Sequence, residues 1–351
     1  MTSPHRIPAE RLRGFIAEAF EAVDIPPDDA GTIADLMTRI DLRGLDGHGI
    51  FRLPPSIKRI KAGGINVNPA LKIVRETAST ALIDGDNGVG HLAVNEAARV
   101  AMDKAGQNGV AWVGTTNCNH AGAGSIYAMM PMERDMIGLY MAVGSANHLP
   151  PWGGIEMLLS TNPLACAIPG LEEPPIVLDM ATTVASYGKV KIAADRGQTM
   201  PEGWMIDPQG NPLTDPTRSD DGFLLPIGGY KGYGLALIFG LLAGTLNGAA
   251  MGKDVIDFNK DFTSTTNTGQ LIIALDIKAF ADVETFKRNV DGVIRAMKGS
   301  PTLPGVEEIF LPGEQSHAKW LERTRDGVPI PEALMARLVT LAAELKIDPL
   351  V

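Results

Sequence analysis

His48 and Arg52 stand four residues apart in Asp46-Gly47-His48-Gly49-Ile50-Phe51-Arg52. If a helix begins at His48, the two side chains project from one face. An imidazole titrates near neutrality and can exchange a proton, while a guanidinium can grip a carboxylate through two parallel hydrogen bonds. Together they suit the chemistry of a hydroxy or keto acid; on an ordinary surface helix the same pair would simply be solvated. A second cluster, Asn117-Cys118-Asn119-His120-Ala121-Gly122-Ala123-Gly124-Ser125, falls between a predicted strand and a predicted helix. Small residues there leave backbone N–H groups open to an anion, with His120 placed to touch cofactor or substrate. The plain alternative is a tight turn whose histidine caps the backbone.

Three further blocks are dense in turn formers and hydroxyls: Ser160-Thr161-Asn162-Pro163, Asp179-Met180-Ala181-Thr182-Thr183, and Gly228-Gly229-Tyr230-Lys231-Gly232-Tyr233-Gly234. Lys231 precedes a long apolar stretch, where its charge and a glycine-lined helix start could bind phosphate or form only a structural turn. A P-loop is absent, because G-x-x-x-x-G-K-[ST] is not present. Gly88-Val89-Gly90-His91-Leu92-Ala93 copies the G-x-G-x-x-A of a dinucleotide-binding turn, but the next strand leads into Thr115 and Thr116 rather than an acidic residue. Close packing of a helix on a strand explains those glycines equally well. His148, ahead of Pro150-Pro151-Trp152-Gly153-Gly154, is a loop histidine that could face a substrate. No H-x-x-x-H pair or compact ligand set supports a metal, and no G-x-S-x-G supports a serine nucleophile.

The elements that must carry these residues follow from periodicity. Leu12, Phe15, Ile16, Ala19 and Val23 recur at helical spacing, Pro26-Pro27-Asp28-Asp29 opens a second helix toward Arg43, and Pro54-Pro55 starts or interrupts a third. Residues 1–68 thus read as a helical unit, packing with a C-terminal segment, residues 300–351, that ends in a helix over 331–345. Between them, residues 69–299 alternate strands (80–84, 110–114, 136–143, 269–276) with helices (93–105, 125–132, 283–297), an α/β cofactor- and substrate-binding region of mixed α+β character. Residues 162–226, rich in Pro, Gly and Asp, are expected to form irregular β structure and loops. The 21 residues from Gly232 to Gly252 carry no charge, yet Gly240, Gly244 and Gly248 fall on one helical face and point to a buried helix rather than a membrane span.

Composition narrows the class. The chain has 351 residues and a formal charge of −10, which excludes the basic field that nucleic acid or an anionic membrane would require. Two cysteines, Cys118 and Cys166, build no disulfide framework and fit a reducing cytoplasm. The start Met1-Thr2-Ser3-Pro4-His5-Arg6 lacks the apolar core of a signal peptide. The 39 Gly and 25 Pro are an excess that many turns or close backbone approaches would explain.

Taken in order, the blocks DGHGIFRL (46–53), NHAGAGSIYA (119–128), PPWGG (150–154), STNPLACAIP (160–169), VLDMATTVASYGK (177–189), LLPIGGYKGYGLAL (224–237) and FLPGE (310–314) resemble the malate/L-lactate dehydrogenase family, the group that includes L-sulfolactate, ureidoglycolate and diketogulonate oxidoreductases. The resemblance implies a non-Rossmann α/β fold of the L-sulfolactate dehydrogenase kind. It also implies NAD- or NADP-dependent interconversion of a small 2-hydroxy acid and its 2-oxo acid, in a homodimer. Carried over by residue, His48 matches the proton donor or acceptor and Arg52 the carboxylate anchor. His120, Gly122, Ala123 and Gly124 match the loop at nicotinamide and substrate, with His120 counted among the catalytic groups. Thr161 matches a substrate-side position and His148 a variable, specificity-setting one. Asp179, Met180, Ala181, Lys231, Gly232, Pro312, Gly313 and Glu314 match segments that touch the dinucleotide. This chain has Gly47 where the family often has a serine able to join a proton relay. Alternatives within the resemblance are a reductase of cyclic imino acids (piperideine- or pyrroline-2-carboxylate), a diketogulonate-type reductase, and a catalytically silent cofactor-binding homologue.

Overall fold

The computed structural model describes residues 5–351; Met1-Thr2-Ser3-Pro4, part of the stretch read for a signal peptide, lies outside the described residues. In chain order the elements are β1 (His5–Ile7), α1 (Ala9–Glu21), α2 (Pro27–Leu42), α3 (Leu53–Lys61), β2 (Lys72–Glu76), β3 (Thr80–Asp84), α4 (Gly90–Asn108), β4 (Val110–Cys118), α5 (Gly124–Ala128), β5 (Met136–Ala142), β6 (Leu164–Ile168), β7 (Ile176–Met180), α6 (Tyr187–Asp195), β8 (Met205–Ile206), β9 (Phe223–Leu224), α7 (Tyr230–Ala243), β10 (Thr268–Asp276), α8 (Val283–Lys298), α9 (Glu314–Asp326), β11 (Val328–Ile330) and α10 (Glu332–Leu345).

The apolar stripe of α1 is buried through Leu12, Phe15, Ile16, Ala19 and Phe20. It packs with Ile33, Ala34 and Met37 of α2 in one cluster that also takes in Leu334, Leu338 and Leu341 of α10. Pro27 opens α2 where a missing N–H costs nothing, with Asp28 and Asp29 at the positive end of its dipole. The small sheet under this cluster joins the chain ends, with β1 antiparallel to β11 and His5 opposite Ile330.

The main sheet has seven strands in the order β2-β3-β4-β10-β5-β6-β7. Only β3 and β4 run parallel, as their connection through α4 requires; the other neighbours are antiparallel. Its second core joins Ala97, Ala98 and Ala101 of α4 to Val113, Ile272 and Ala274 of the central strands. Alanines let the helix lie close to the sheet. The mixed α/β architecture is thus as expected, but it is largely antiparallel. Gly90 opens α4 against the chain leaving β4, where an added Cβ would lie 2.0 Å from the Asn119 carbonyl oxygen. The Gly88–Gly90 pattern is therefore a packing device.

Two expectations need correction. Residues 162–226 hold, besides short strands, the nine-residue helix α6, capped by Ser186 Oγ accepting from the Lys189 N–H. Its Val190 packs with Met205 and Leu224 in a satellite core. The apolar helix α7 runs for only 14 residues and stops at Gly244, so Gly248, at φ +69°, lies beyond it. Nor is α7 buried all round: Ala236, Phe239 and Gly240 face the core while Leu235, Ile238 and Leu241 are exposed. Among the described residues no helix is long and apolar enough to cross a membrane.

Candidate active site

The chain turns sharply after α2. The buried Asp41 carboxyl accepts the Ile50 N–H at 2.7 Å, and a Cβ on Gly49 would lie 2.2 Å from that same carboxyl group. Beside this contact Gly49 takes φ −90° and ψ −131°, and a single 3-10 turn over Ile50–Arg52 follows. The helix expected to begin at His48 therefore begins at Leu53, with His48 in the preceding turn. The two side chains nevertheless reach the same cavity, of about 120 Å³, lined also by His120, His148 and Thr161.

Arg52 sits low in this cavity. Its Nε donates to the Gly47 carbonyl at 2.9 Å and its Nη1 approaches Asn259 Oδ1 at 3.5 Å, while the guanidinium carbon stands 5.3 Å from the centre of the Phe258 ring. Burial pushes its pKa down to about 10, which leaves it charged at pH 7. No carboxylate among the described residues pairs with it, so a buried cation faces the cavity with outward donors free.

The ring of His120 is sandwiched, with its centroid 6.0 Å from that of His48 and 5.3 Å from that of Phe258. His120 Nδ1 accepts the Gly122 N–H at 3.2 Å, which puts the proton of the neutral ring on Nε2. Burial first, then the charge of Arg52, holds His48 at about 4. Burial, Arg52 and His48 likewise keep His120 well below the usual histidine range. At pH 7 the site thus offers two neutral imidazoles beside a fixed positive charge.

A buried network fixes this group. Asn119, next to His120, donates through Nδ2 to the Asn87 and Gly88 carbonyls at 3.0 and 2.9 Å. Its Oδ1 accepts from Arg59 Nε at 3.3 Å and from Thr266 Oγ1 at 3.1 Å. The Arg59 guanidinium in α3 also donates to the Asp261 and Ser264 carbonyls. One buried side chain thereby ties the histidine segment to the loop that brings Phe258 and Asn259 over the cavity.

Thr161 reaches the cavity from a loop held by Asn162, which accepts the Gly144 N–H at 3.1 Å and donates to the Ala236 carbonyl at 2.7 Å. His148 stacks on Tyr187 with centroids 4.1 Å apart, and burial is the main cause that lowers it to about 4. The glycine loop faces two ways: Gly122 lines the cavity, Ala123 and Gly124 are buried at its back, and Ser125 lines a second, larger cleft of about 630 Å³. There Asp179, whose carboxylate accepts the Ser125 N–H at 3.0 Å, meets Pro312 and Gly313. The meeting is enforced by Val177 N–H donating to the Pro312 carbonyl at 2.9 Å and by Gly313 at φ +89°, where a Cβ would strike Val177. Met180 ends β7 and Ala181 follows it, both half-buried.

Other sequence candidates stand apart. Glu314 turns its carboxylate to Lys298 and to the Leu311 N–H. Lys231 is exposed on α7 and lines neither cavity, while Gly232 packs so closely on the Ile227 backbone that a Cβ would sit 2.2 Å from its carbonyl oxygen. Conversely, Tyr187, Lys191, Phe258 and Asn259 line the cavity without having been singled out. Tyr187 lies inside the VLDMATTVASYGK block and was legible there; Phe258 and Asn259 lie in a loop whose only signal is its turn-forming Asp257 and Asn259.

The malate/L-lactate dehydrogenase family model matches residues 7–339. The chain belongs to this family. It is 35% identical to the malate dehydrogenase of Pyrococcus horikoshii, over 98% of this chain and 96% of that protein. It is also 37% identical to the L-sulfolactate dehydrogenase of Methanocaldococcus jannaschii, over 97% of each. The solved structure of the Pyrococcus horikoshii malate dehydrogenase superposes with a TM-score of 0.91, covering 99% of this chain and 98% of that one at 33% identity. That of the Δ1-piperideine-2-carboxylate reductase from Pseudomonas syringae pv. tomato gives a TM-score of 0.85 at 28% identity, with 96% and 100% covered.

Proposed function

We propose that this member of the malate/L-lactate dehydrogenase family is an NAD(P)-dependent oxidoreductase that interconverts a small 2-hydroxy acid and its 2-oxo acid. The observation that carries the proposal is the convergence of a neutral His48, an unpaired Arg52 and the Nε2–H of His120 on one cavity. A silent homologue would have no reason to retain a buried guanidinium without a carboxylate partner.

The second cleft supports a dinucleotide. Lys189, Lys319 and Arg43 line it together with the half-buried Asp179, a donor set for phosphates and a carboxylate able to accept from a ribose hydroxyl or an amide. The 120–125 loop is common to cleft and cavity, so a ligand held by Asp179, Pro312 and Gly313 would end beside His120. When bound, a nicotinamide supplies the hydride acceptor or donor.

Arg52 holds the substrate carboxylate. His48 takes the hydroxyl proton during oxidation and returns it to the carbonyl oxygen during reduction, while His120 Nε2–H donates to the same oxygen. A bound carboxylate offsets the Arg52 charge that depresses His48, so the proton affinity of His48 rises when substrate is in place. Phe258 excludes water over the pair. Gly47 supplies only a carbonyl to Arg52, so no hydroxyl at position 47 takes part in proton exchange at His48.

The exposed Leu235, Ile238 and Leu241 of α7, next to the unassigned Lys231, support a homodimer in which that face is covered; the cytoplasm is the compartment proposed. A cyclic imino acid reductase is the second reading, favoured by the structural likeness to the piperideine-2-carboxylate reductase; the same anchor would serve, with the proton delivered to nitrogen. Nicotinamide absorbance followed with NADH and NADPH against oxaloacetate, pyruvate, sulfopyruvate and cyclic imines tests the proposal. Turnover of a 2-oxo acid supports it, and turnover of imines alone replaces it with the second reading.

A further inference from the structure

Among the described residues, the cavity that holds His48 and Arg52 is lined by two basic side chains, Arg52 and Lys191, and by no carboxylate. Neither cation has a carboxylate partner among the described residues: Arg52 spends its bonds on the Gly47 carbonyl and Asn259, and Lys191 holds its ammonium over the Tyr187 ring, 5.1 Å from its centre. The acidic groups nearby are already engaged. Asp257 accepts from the N–H and side-chain amide of Asn259, and Asp220 lies beside Lys260 and the Tyr187 hydroxyl.

The placement of Lys191 is built in. Tyr187 and Lys191 lie one turn apart on α6, and Tyr187 is fixed by stacking on His148 at 4.1 Å. The ring that walls the cavity therefore also steers the ammonium toward it. Around His148 the charges of Lys191, Lys260 and Arg52 oppose that of Asp257, so three cations face one carboxylate at this end of the cavity, and that carboxylate is already held by Asn259. A monoanion bound at Arg52 would leave the second cation unanswered.

Building on the 2-hydroxy acid reading, we propose that the substrate is dianionic: Arg52 binds the carboxylate next to the reacting carbon, and Lys191 binds a second anionic group at the far end of a short chain. Carboxylate and sulfonate meet the same requirement, since an ammonium is a point charge without the planar fork that would discriminate between them. Lys191 is then the specificity-determining residue, with Tyr187 holding it in place.

The test is the ratio of kcat/KM for oxaloacetate or sulfopyruvate to that for pyruvate or 2-oxobutyrate, in the wild type and in Lys191→Met and Lys191→Arg. The wild type should prefer the dianions; Lys191→Met should lower the ratio about tenfold or more, the loss of a hydrogen bond to a charged group, and Lys191→Arg should retain most of it. Cofactor Kd, read by nicotinamide fluorescence, should not change. A wild type that prefers the monoanions, or a Lys191→Met ratio equal to wild type, overturns the assignment while leaving the 2-hydroxy acid reading intact. A rise in cofactor Kd with an unchanged ratio also overturns it, moving Lys191 to the dinucleotide. Failure to turn over any 2-oxo acid removes the reading on which it rests, and the dianion assignment with it.

Discussion

Arg59 Nε donates to Asn119 Oδ1 across 3.3 Å, linking two segments 60 positions apart in sequence inside the molecule. The same guanidinium holds the carbonyls of Asp261 and Ser264, so one side chain spans the histidine segment and the loop above it. Arg59→Met fills similar volume but takes the donor from the half-buried Asp261 and Ser264 carbonyls and leaves Asn119 Oδ1 with Thr266 Oγ1 alone, a loss of about 1–3 kcal/mol. Denaturant unfolding should show a loss of that order or more. Arg59→Lys should recover part of the stability but not the geometry, leaving kcat/KM depressed.

His48→Ala and Arg52→Ala should separate in kinetics. Loss of the proton acceptor lowers kcat by about 10²–10⁴ with little change in cofactor affinity. Loss of the anchor raises KM for carboxylate substrates, with the smaller change in kcat. Steady-state kinetics with a cofactor titration measures both; wild-type turnover in His48→Ala would remove the proton role from that residue.

The pH dependence has a fixed sign. In the proposed mechanism oxidation needs neutral His48, so kcat/KM for the hydroxy acid should fall as pH drops through about 4, where burial and Arg52 place His48 in the free protein. Reduction needs the protonated ring, so its kcat/KM should rise as pH falls toward that value. The limb seen in kcat should lie at higher pH, because a carboxylate on Arg52 relieves the repulsion. Coincident limbs in kcat and kcat/KM would show that Arg52 charge is not what substrate neutralises.

Two neighbouring glycines should respond oppositely. A Cβ at Gly47 meets nothing within 4 Å, whereas one at Gly49 would overlap the Asp41 carboxyl. Gly47→Ser should fold with unchanged or slightly raised stability, by at most about 1 kcal/mol through a stiffer unfolded chain. Gly49→Ala should lower Tm sharply and take activity with it. Thermal melts of the two variants decide the matter.

Asp41 gives a pH-linked stability test. Burial raises its carboxyl to about 8, above the ordinary value, so its favourable share is complete below about pH 4 and disappears as pH rises through 8. Asp41→Asn keeps an acceptor for the Ile50 N–H without the charge. Its Tm relative to wild type should therefore improve steadily from pH 4 to 8 and then level; a constant difference would contradict a neutralised buried carboxyl.

How far the sequence was legible depended on the range of the interaction. Helices α1, α2 and α10 and strands β3 and β5 follow from local periodicity and punctuation, because each buries one stripe or alternate residues, while β10 shows as an apolar run because it is buried on both faces. The start at Leu53 rather than His48 was not legible, since it turns on a contact between Gly49 and Asp41 across the turn. Phe258 and Asn259 likewise become site residues only through contacts distant in sequence, the Arg59 bonds to Asp261 and Ser264 and the Phe258 N–H bond to the Ser145 carbonyl. His48, Arg52 and His120 were legible by residue type, and their convergence was not, being a property of tertiary packing alone.

The pairing of His5 with Ile330 has a consequence for synthesis. The cluster beneath α3, which sets the direction of the turn bearing His48 and Arg52, draws on α10, which follows the α/β core in sequence. The nascent chain can form β3, α4 and β4 early, as local units do, but it waits for β11 and α10 before the turn bearing His48 and Arg52 is supported. A ribosome stalled short of β11 would thus carry a sheet without an enzyme, and appearance of activity during translation should track emergence of β11 and α10 rather than growth of the α/β core.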